Sequence, residues 1–179
     1  LAEFGAQYPN LVVLDDDLAN ATKTNTFQKA FPERHIDCGI AECDMMGIAA
    51  GLSTVGKIPF ASSFAMFAAG RAYEQVRNSI GYPHLNVKVG EDGASHQCLE
   101  DIALMRVIPG MVVINPCDAV EARAAVQAAL EYVGPVYLRF GRAAVPVIND
   151  NDNYKFEIGK GVLLREGTDV TIVATGICV

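Results

Sequence analysis

Six short apolar runs, separated by stretches of helical periodicity, constrain this chain more than any other feature. They are Leu11-Val-Val-Leu14, His35-Ile-Asp-Cys38, Ile58-Pro-Phe-Ala61, Leu85-Asn-Val-Lys-Val89, Met111-Val-Val-Ile114 and Val136-Tyr-Leu-Arg139. A strand-length run without polar alternation, such as Leu11–Leu14, reads as a strand buried on both faces. The segments between them read as helices: 2–8 closed by Pro9, Thr24 (as N-cap) to Phe31 stopped by Pro32, Glu42 to about Gly56, 65–80, 99–107 and 119–132. Buried strands alternating with helices pair in parallel through crossovers. The expected fold is therefore α/β, a doubly wound, mostly parallel six-stranded sheet with helices on both faces.

Sheets of this kind bind ligands beyond the carboxyl ends of their strands. Asp17, Gly39 to Glu42, Ser62 to Phe67, Gly90 to His96 and Arg142 all fall there. Residues 1–149 are expected to form one domain. From residue 150 the character changes: Asn151-Asp-Asn153 is a polar break, 155–165 suggests a β-hairpin-like excursion, and Val170-Thr-Ile-Val-Ala174 starts another parallel strand. This tail reads as a linker entering a further C-terminal domain, and both ends look cut from something longer.

Charge and cysteines narrow the function classes. A net charge of −7 argues against binding nucleic acid or an anionic membrane surface. Five cysteines with no CxxC or other metal-ligand spacing read as buried free thiols in a reducing compartment. No apolar run approaches the length of a membrane span, so a soluble, cytoplasmic protein is expected.

The helix opened by Glu42 carries Met45, Ile48, Ala49 and Leu52 at core spacing, and a carboxylate at its start is the anomaly. Helix physics alone allows a plain reading, an acid favoured by the first turn's free N–H groups and the helix dipole. Ser62-Ser-Phe64-Ala-Met-Phe67 puts two aromatic rings three residues apart on one face, either as core or as a shelf for a flat ligand. Gly90-Glu-Asp92-Gly-Ala-Ser-His96-Gln is a glycine-flanked loop with two carboxylates and a histidine. The triple acid Asp15-Asp16-Asp17 does not suggest a metal site, because adjacent side chains at a strand end point in different directions.

Three of these motifs, in this order, resemble the pyrimidine-binding domain of transketolases: Gly39-Ile-Ala-Glu42 with Met46-Gly-Ile-Ala-Ala-Gly51, Ser63-Phe64-Ala-Met-Phe67, and Gly90-Glu-Asp-Gly-Ala-Ser-His96-Gln. Arg71-Ala-Tyr-Glu-Gln75 also resembles a run of deoxyxylulose-phosphate synthases. Lys57-Ile-Pro-Phe-Ala61 and Arg77-Asn-Ser-Ile80 look most like the small C-terminal subunit of split transketolases.

The resemblance implies that Glu42 bonds the aminopyrimidine of thiamine diphosphate, and that Phe64 and Phe67 stack on it. Asp17 and Leu18 approach the thiazolium. Asp92 and His96 meet the substrate, His96 handling its oxygen and proton, and Arg142 binds its phosphate, with Arg139 as the competing candidate. The implied reaction is two-carbon ketol transfer between sugar phosphates, as in the pentose phosphate pathway, by a homodimer. With no Gly-rich phosphate loop carrying a Lys, this chain leaves the diphosphate and Mg²⁺ to a diphosphate-binding N-terminal domain or subunit. The rival readings are a deoxyxylulose-phosphate synthase-like domain and a non-catalytic dimerising subunit.

Two departures stand out. Val89 runs directly into Gly90, where family members carry a longer connection with a second active-site His, and a stretch is expected to be missing between the two residues. Ala21 stands where many members place a Ser that helps hold substrate phosphate.

Overall fold

A computed structural model describes residues 1–90, 98–141, 143–149 and 152–179. Its centre is one six-stranded sheet: β1 (Leu11–Asp15), β2 (His35–Asp37), β3 (Ile58–Ser62), β4 (Lys88–Gly90), β5 (Val112–Ile114) and β6 (Val136–Leu138). The order is β2-β1-β3-β4-β6-β5 and every pairing is parallel. The direction of winding reverses between β1 and β3, so their carboxyl ends flank the topological switch point where such sheets take ligands.

Side chains alternate strictly across this sheet, as a period of two requires. Leu11, Val13, Ile58, Phe60, Val136 and Leu138 face one layer, built from α1 (Ala2–Gly5), α2 (Asn25–Ala30) and α6 (Ala119–Glu131) through Phe4, Phe27, Ala125 and Leu130. Val12, Leu14, Ala61, Val89 and Tyr137 face the other, built from α3 (Glu42–Thr54), the helix around α4 (Tyr73–Gln75) and α5 (Asp101–Arg106) through Met45, Met46, Val76, Ile80 and Met105. The doubly wound α/β fold read from the sequence is therefore what the chain adopts.

Several local expectations change. The segment read as one helix over 65–80 is π-helical at Met66–Arg71 and again at Val76–Gly81, with only Tyr73–Gln75 α-helical between them. Thr24 stands before α2 but does not cap it, because its hydroxyl donates instead to Asp15 Oδ2 at 2.6 Å. Val89 and Gly90 stand in β4 opposite Ala61 and Ser62. Neither the hairpin over 155–165 nor a strand at 170–174 is present. Val170, Ile172 and Val173 stand exposed and pair with no strand of the sheet, and an extended run without a partner is not a strand. The thiols are free, but Cys178 is exposed and Cys38 and Cys43 only half-buried, so burial holds fully for Cys98 and Cys117 alone.

One carboxylate secures the exit from the sheet. Asp118 caps α6 by accepting from Glu121 N at 2.8 Å, and Glu121 Oε2 accepts from Cys117 N at 2.7 Å, a close variant of the capping box. Asp118 Oδ2 also accepts from the N–H groups of Ile148 and Asn149, both at 2.9 Å. Burial acts to raise the Asp118 pKa, but the bonds from Glu121, Asn149 and Ile148 outweigh it and hold it down at about 2. A depressed carboxyl contributes stability above the usual carboxylate range and loses it as pH falls towards the folded value. Asp118→Ala should lower stability by about 1–2 kcal/mol at neutral pH, the scale of a lost cap, and the deficit should shrink below pH 3. Thermal denaturation at both pH values checks this, and an equal deficit at each would remove the carboxylate from the account.

Candidate functional site

The site is assembled at the ends of β1, β2 and β3. Asp37, closing β2, accepts through Oδ1 from Asp17 N at 3.0 Å and Gly39 N at 2.9 Å, which ties the loop after β1 to the loop before α3. Gly39 takes φ +66°, a left-handed turn that a glycine enters without Cβ strain, and the chain then bends so that Ala41 N reaches Gly39 O. Helix α3 starts at Glu42 with no side-chain cap on Ala41. The Glu42 carboxylate thus lies beside the first turn's unpaired N–H groups and the positive end of the helix dipole.

Glu42 is 2 % exposed, beside Met45 and Met46 in the same helix core. Its partner comes from the π-helical turn at Met66–Arg71. Arg71 Nη1 donates to both carboxylate oxygens, at 3.3 and 3.2 Å. The same guanidinium lies 5.1 Å from the Phe67 ring centroid, and Cys43 Sγ lies 3.5 Å from Arg71 O. Phe64 and Phe67 are half-buried, with centroids 6.1 Å apart and planes inclined at 57°. Acid, cation and aromatic pair therefore converge on one spot. The Arg71 side chain is 56 % exposed, so the ion pair fixes the orientation of the carboxylate more than it adds stability.

Beside it, the three acids that end β1 do point in three directions. Asp15 is buried and accepts from Leu18 N, from Thr22 Oγ1 at 2.9 Å and from Thr24 Oγ1 at 2.6 Å. Asp16 is buried and accepts from Ser63 Oγ across the switch point. Asp17 is exposed and held at φ +66° by its bond to Asp37. Leu18, half-buried, follows directly.

Of the residues singled out in the sequence, Glu42 and Phe67 are joined through Arg71, with Phe64 against Phe67, while Asp17 and Leu18 occupy the neighbouring loop. Asp92, His96 and Arg142 lie outside the described residues. Arg139, the competing candidate, donates from Nε to the buried Asp101 Oδ2 at 2.7 Å, an acid that also accepts from Tyr137 OH at 2.9 Å. Sequence reasoning gave no role to Arg71, Asp16 or Ser63. Arg71 lay in a recognised run, but nothing in a one-dimensional pattern pairs it with an acid 29 positions away.

A separate cavity of about 580 Å³ opens on the opposite face of the sheet, lined by Ala21, Thr22, Phe27, Phe60, Leu138 and Phe140 among others. None of Asp17, Leu18, Glu42, Phe64 or Phe67 borders it. Among the described residues no helix is long and apolar enough to cross a membrane, and no group of three or more His, Cys, Asp or Glu is placed to hold a metal ion.

Comparison with known proteins gives this geometry a family. Residues 1–147 match the family model described as the pyrimidine binding domain of transketolase. A Methanocaldococcus jannaschii protein named as a transketolase C-terminal section is 54 % identical, over 98 % of this chain and 59 % of its own length. The 6-deoxy-6-sulfo-D-fructose transketolase subunit of Clostridium sp. (strain MSTE9) is 46 % identical over the whole chain and 58 % of the relative. That alignment runs over 189 positions, ten more than this chain has residues. A solved split-gene transketolase, described as an inactive beta4 tetramer, superposes with a TM-score of 0.90 at 59 % identity, over 98 % of this chain and 59 % of that one. The chain spans a little under three-fifths of the length of these proteins. With a family match across most of its residues and relatives of this identity, the chain belongs to the transketolase family and corresponds to its pyrimidine-binding domain.

Proposed function

We propose that this chain is the pyrimidine-binding part of a thiamine diphosphate-dependent transketolase, transferring a two-carbon ketol unit between sugar phosphates together with a diphosphate-binding partner. The observation that carries the proposal is the buried Glu42 carboxylate at the head of α3, set beside Phe67 and steadied by Arg71. An aminopyrimidine offers a flat apolar face, N–H donors and a basic ring nitrogen, and the residues present fit each of these.

Thiamine diphosphate, when bound, supplies the acidic thiazolium carbon that carries the ketol unit. Glu42 shares a proton with the pyrimidine ring nitrogen, and its seat beside Met45 and Met46 keeps water from competing for it. Phe64 and Phe67 hold the ring by stacking. Asp17 and Leu18 line the side nearest the thiazolium. In the same proposal Asp92 hydrogen-bonds a substrate hydroxyl, His96 moves a proton at the substrate oxygen, and the Arg142 guanidinium pairs with substrate phosphate.

The partner is a transketolase N-terminal domain or subunit that holds the diphosphate and Mg²⁺. The net charge of −7, the lack of a Gly-rich phosphate loop with a Lys, and the naming of relatives as subunits or a C-terminal section support this division. A related assembly described as an inactive beta4 tetramer supports it as well. The proposal includes a homodimer working in the cytoplasm.

Glu42→Gln should abolish exchange of the thiazolium C2 proton in a preparation reconstituted with the N-terminal partner, while leaving the melting temperature close to the parent's. Proton NMR of the exchange tests this, and exchange at the parental rate would rule out the assignment of Glu42. His96→Ala should lower turnover by about 10²–10⁴-fold, the usual contribution of an acid–base group, with little change in cofactor affinity. Equal losses in both would move His96 away from the substrate. The purified chain alone should bind thiamine diphosphate weakly even with Mg²⁺, and tight calorimetric binding would overturn the division between two partners.

A further inference from the structure

Three buried carboxyl groups stand together here, and their hydrogen-bond donors are unequally shared. Asp15 has three donors: the Leu18 N–H and the hydroxyls of Thr22 and Thr24. Glu42 has the Arg71 guanidinium against both of its oxygens. Among the described residues Asp16, 2 % exposed at the switch point, has the Ser63 hydroxyl, which bonds Oδ2, and its own backbone N–H, and its Oδ1 is buried with no hydrogen-bond partner. A carboxylate with an empty oxygen in the protein interior carries the full desolvation cost of that oxygen, whereas a neutral acid carries much less. Among these three acids, counting donors therefore assigns a retained proton to Asp16.

The charged and titratable groups around it reinforce this. Among the described residues they are Asp15, which ends β1, Glu42 at the start of α3 with its partner Arg71, and Cys38 after β2. Burial first, then the negative charges of Asp15 and Glu42, push Asp16 up to about 7, against the pull of the Ser63 bond. Among the described residues no other acid of the site is both so buried and so poorly supplied with donors.

We propose that Asp16 is the specificity-determining residue that makes the switch point between β1 and β3 selective for a positively charged heterocycle. In the free protein below pH 7 it is mostly a neutral acid. A cation seated beside it displaces its proton to solvent and pairs with the carboxylate that remains, so no covalent bond changes. A neutral heterocycle of the same shape leaves the proton in place and gains nothing from it. In naming the thiazolium of thiamine diphosphate as the cation, this rests on the function proposed above. The protonation of Asp16 in the free chain does not.

Two measurements decide it. In the free chain, the Asp16 Cγ carbon, followed by ¹³C NMR, should titrate in the neutral range, and a carboxylate fully ionised from pH 5 to 8 would overturn the proposal. In the chain reconstituted with its N-terminal partner, calorimetry in buffers of different ionisation enthalpy should show proton release when thiamine diphosphate binds below pH 7. That release should be lost in Asp16→Asn, which keeps the shape and the Ser63 bond, and with an analogue whose thiazole ring is uncharged. The affinity ratio of parent to Asp16→Asn should rise about tenfold per pH unit from pH 5 to 7, the slope of a single linked proton. Equal proton release in parent and variant, or a flat ratio, would overturn the proposal. Absence of cofactor binding by the reconstituted parent, with Asp16 still titrating near neutrality, would instead bring down the functional reading and the choice of cation with it.

Discussion

A buried carboxylate, Asp15, folds the loop after β1 back onto the end of its own strand. By accepting from Leu18 N, Thr22 and Thr24, it turns the chain within a few residues and sets where α2 begins. Its backbone carbonyl accepts from Cys38 N, which carries the end of β2 alongside. The bend leaves Asp16 inside, facing Ser63, and sends Asp17 outward in a left-handed conformation. Through Asp37 the same bend fixes the loop that delivers Glu42 to the head of α3. Replacing any one of these bonds by water at a buried strand end would be costly, because the interior strengthens what is paired and penalises what is not.

Much of the architecture was legible because its signals are local. Runs such as Leu11–Leu14 and Val136–Arg139 declare strands buried on both faces, and the helical spacing from Glu42 onward declares the layer above them. The acid at the head of an apolar helix was visible for the same reason. What escaped depends on pairing across distance. Arg71 finds Glu42 only because a π-helical turn presents it there, and helical spacing alone does not distinguish that winding from an α-helix. Thr24 looked like a cap and is claimed by Asp15, a tertiary partner that outbids a local preference. Val170 to Ala174 has strand composition, but composition does not choose a pairing partner, and the residues stay unpaired.

The cationic and acidic groups of this chain are also divided by task. Lys88, fully buried at the start of β4, donates to the carbonyls of Tyr132 and Gly134 and to Asn86 Oδ1, and so joins the central strand to the turn before β6. Arg139 donates to Asp101 at the start of α5, an acid that the Tyr137 hydroxyl also reaches. Among the described residues the acid-rich switch point, by contrast, receives one cation, the half-exposed Arg71. Lys88 in the sheet has three acceptors, whereas Asp16 at the switch point keeps a buried oxygen without a donor, which is the pattern expected where a fold gives up some stability to meet a ligand.

The double duty of Asp118 has a mechanical consequence. Because one carboxylate both caps α6 and anchors the amides of Ile148 and Asn149, fraying of the first helical turn and release of that segment are a single event. Tension on the chain at residues 148–149 is delivered to the amino end of α6, on the β6 and β5 side of the sheet, rather than to the β1–β3 gap. Tugging at this segment would load a shear between helix and tether, and the Glu42 region would feel it only after that clamp had given way.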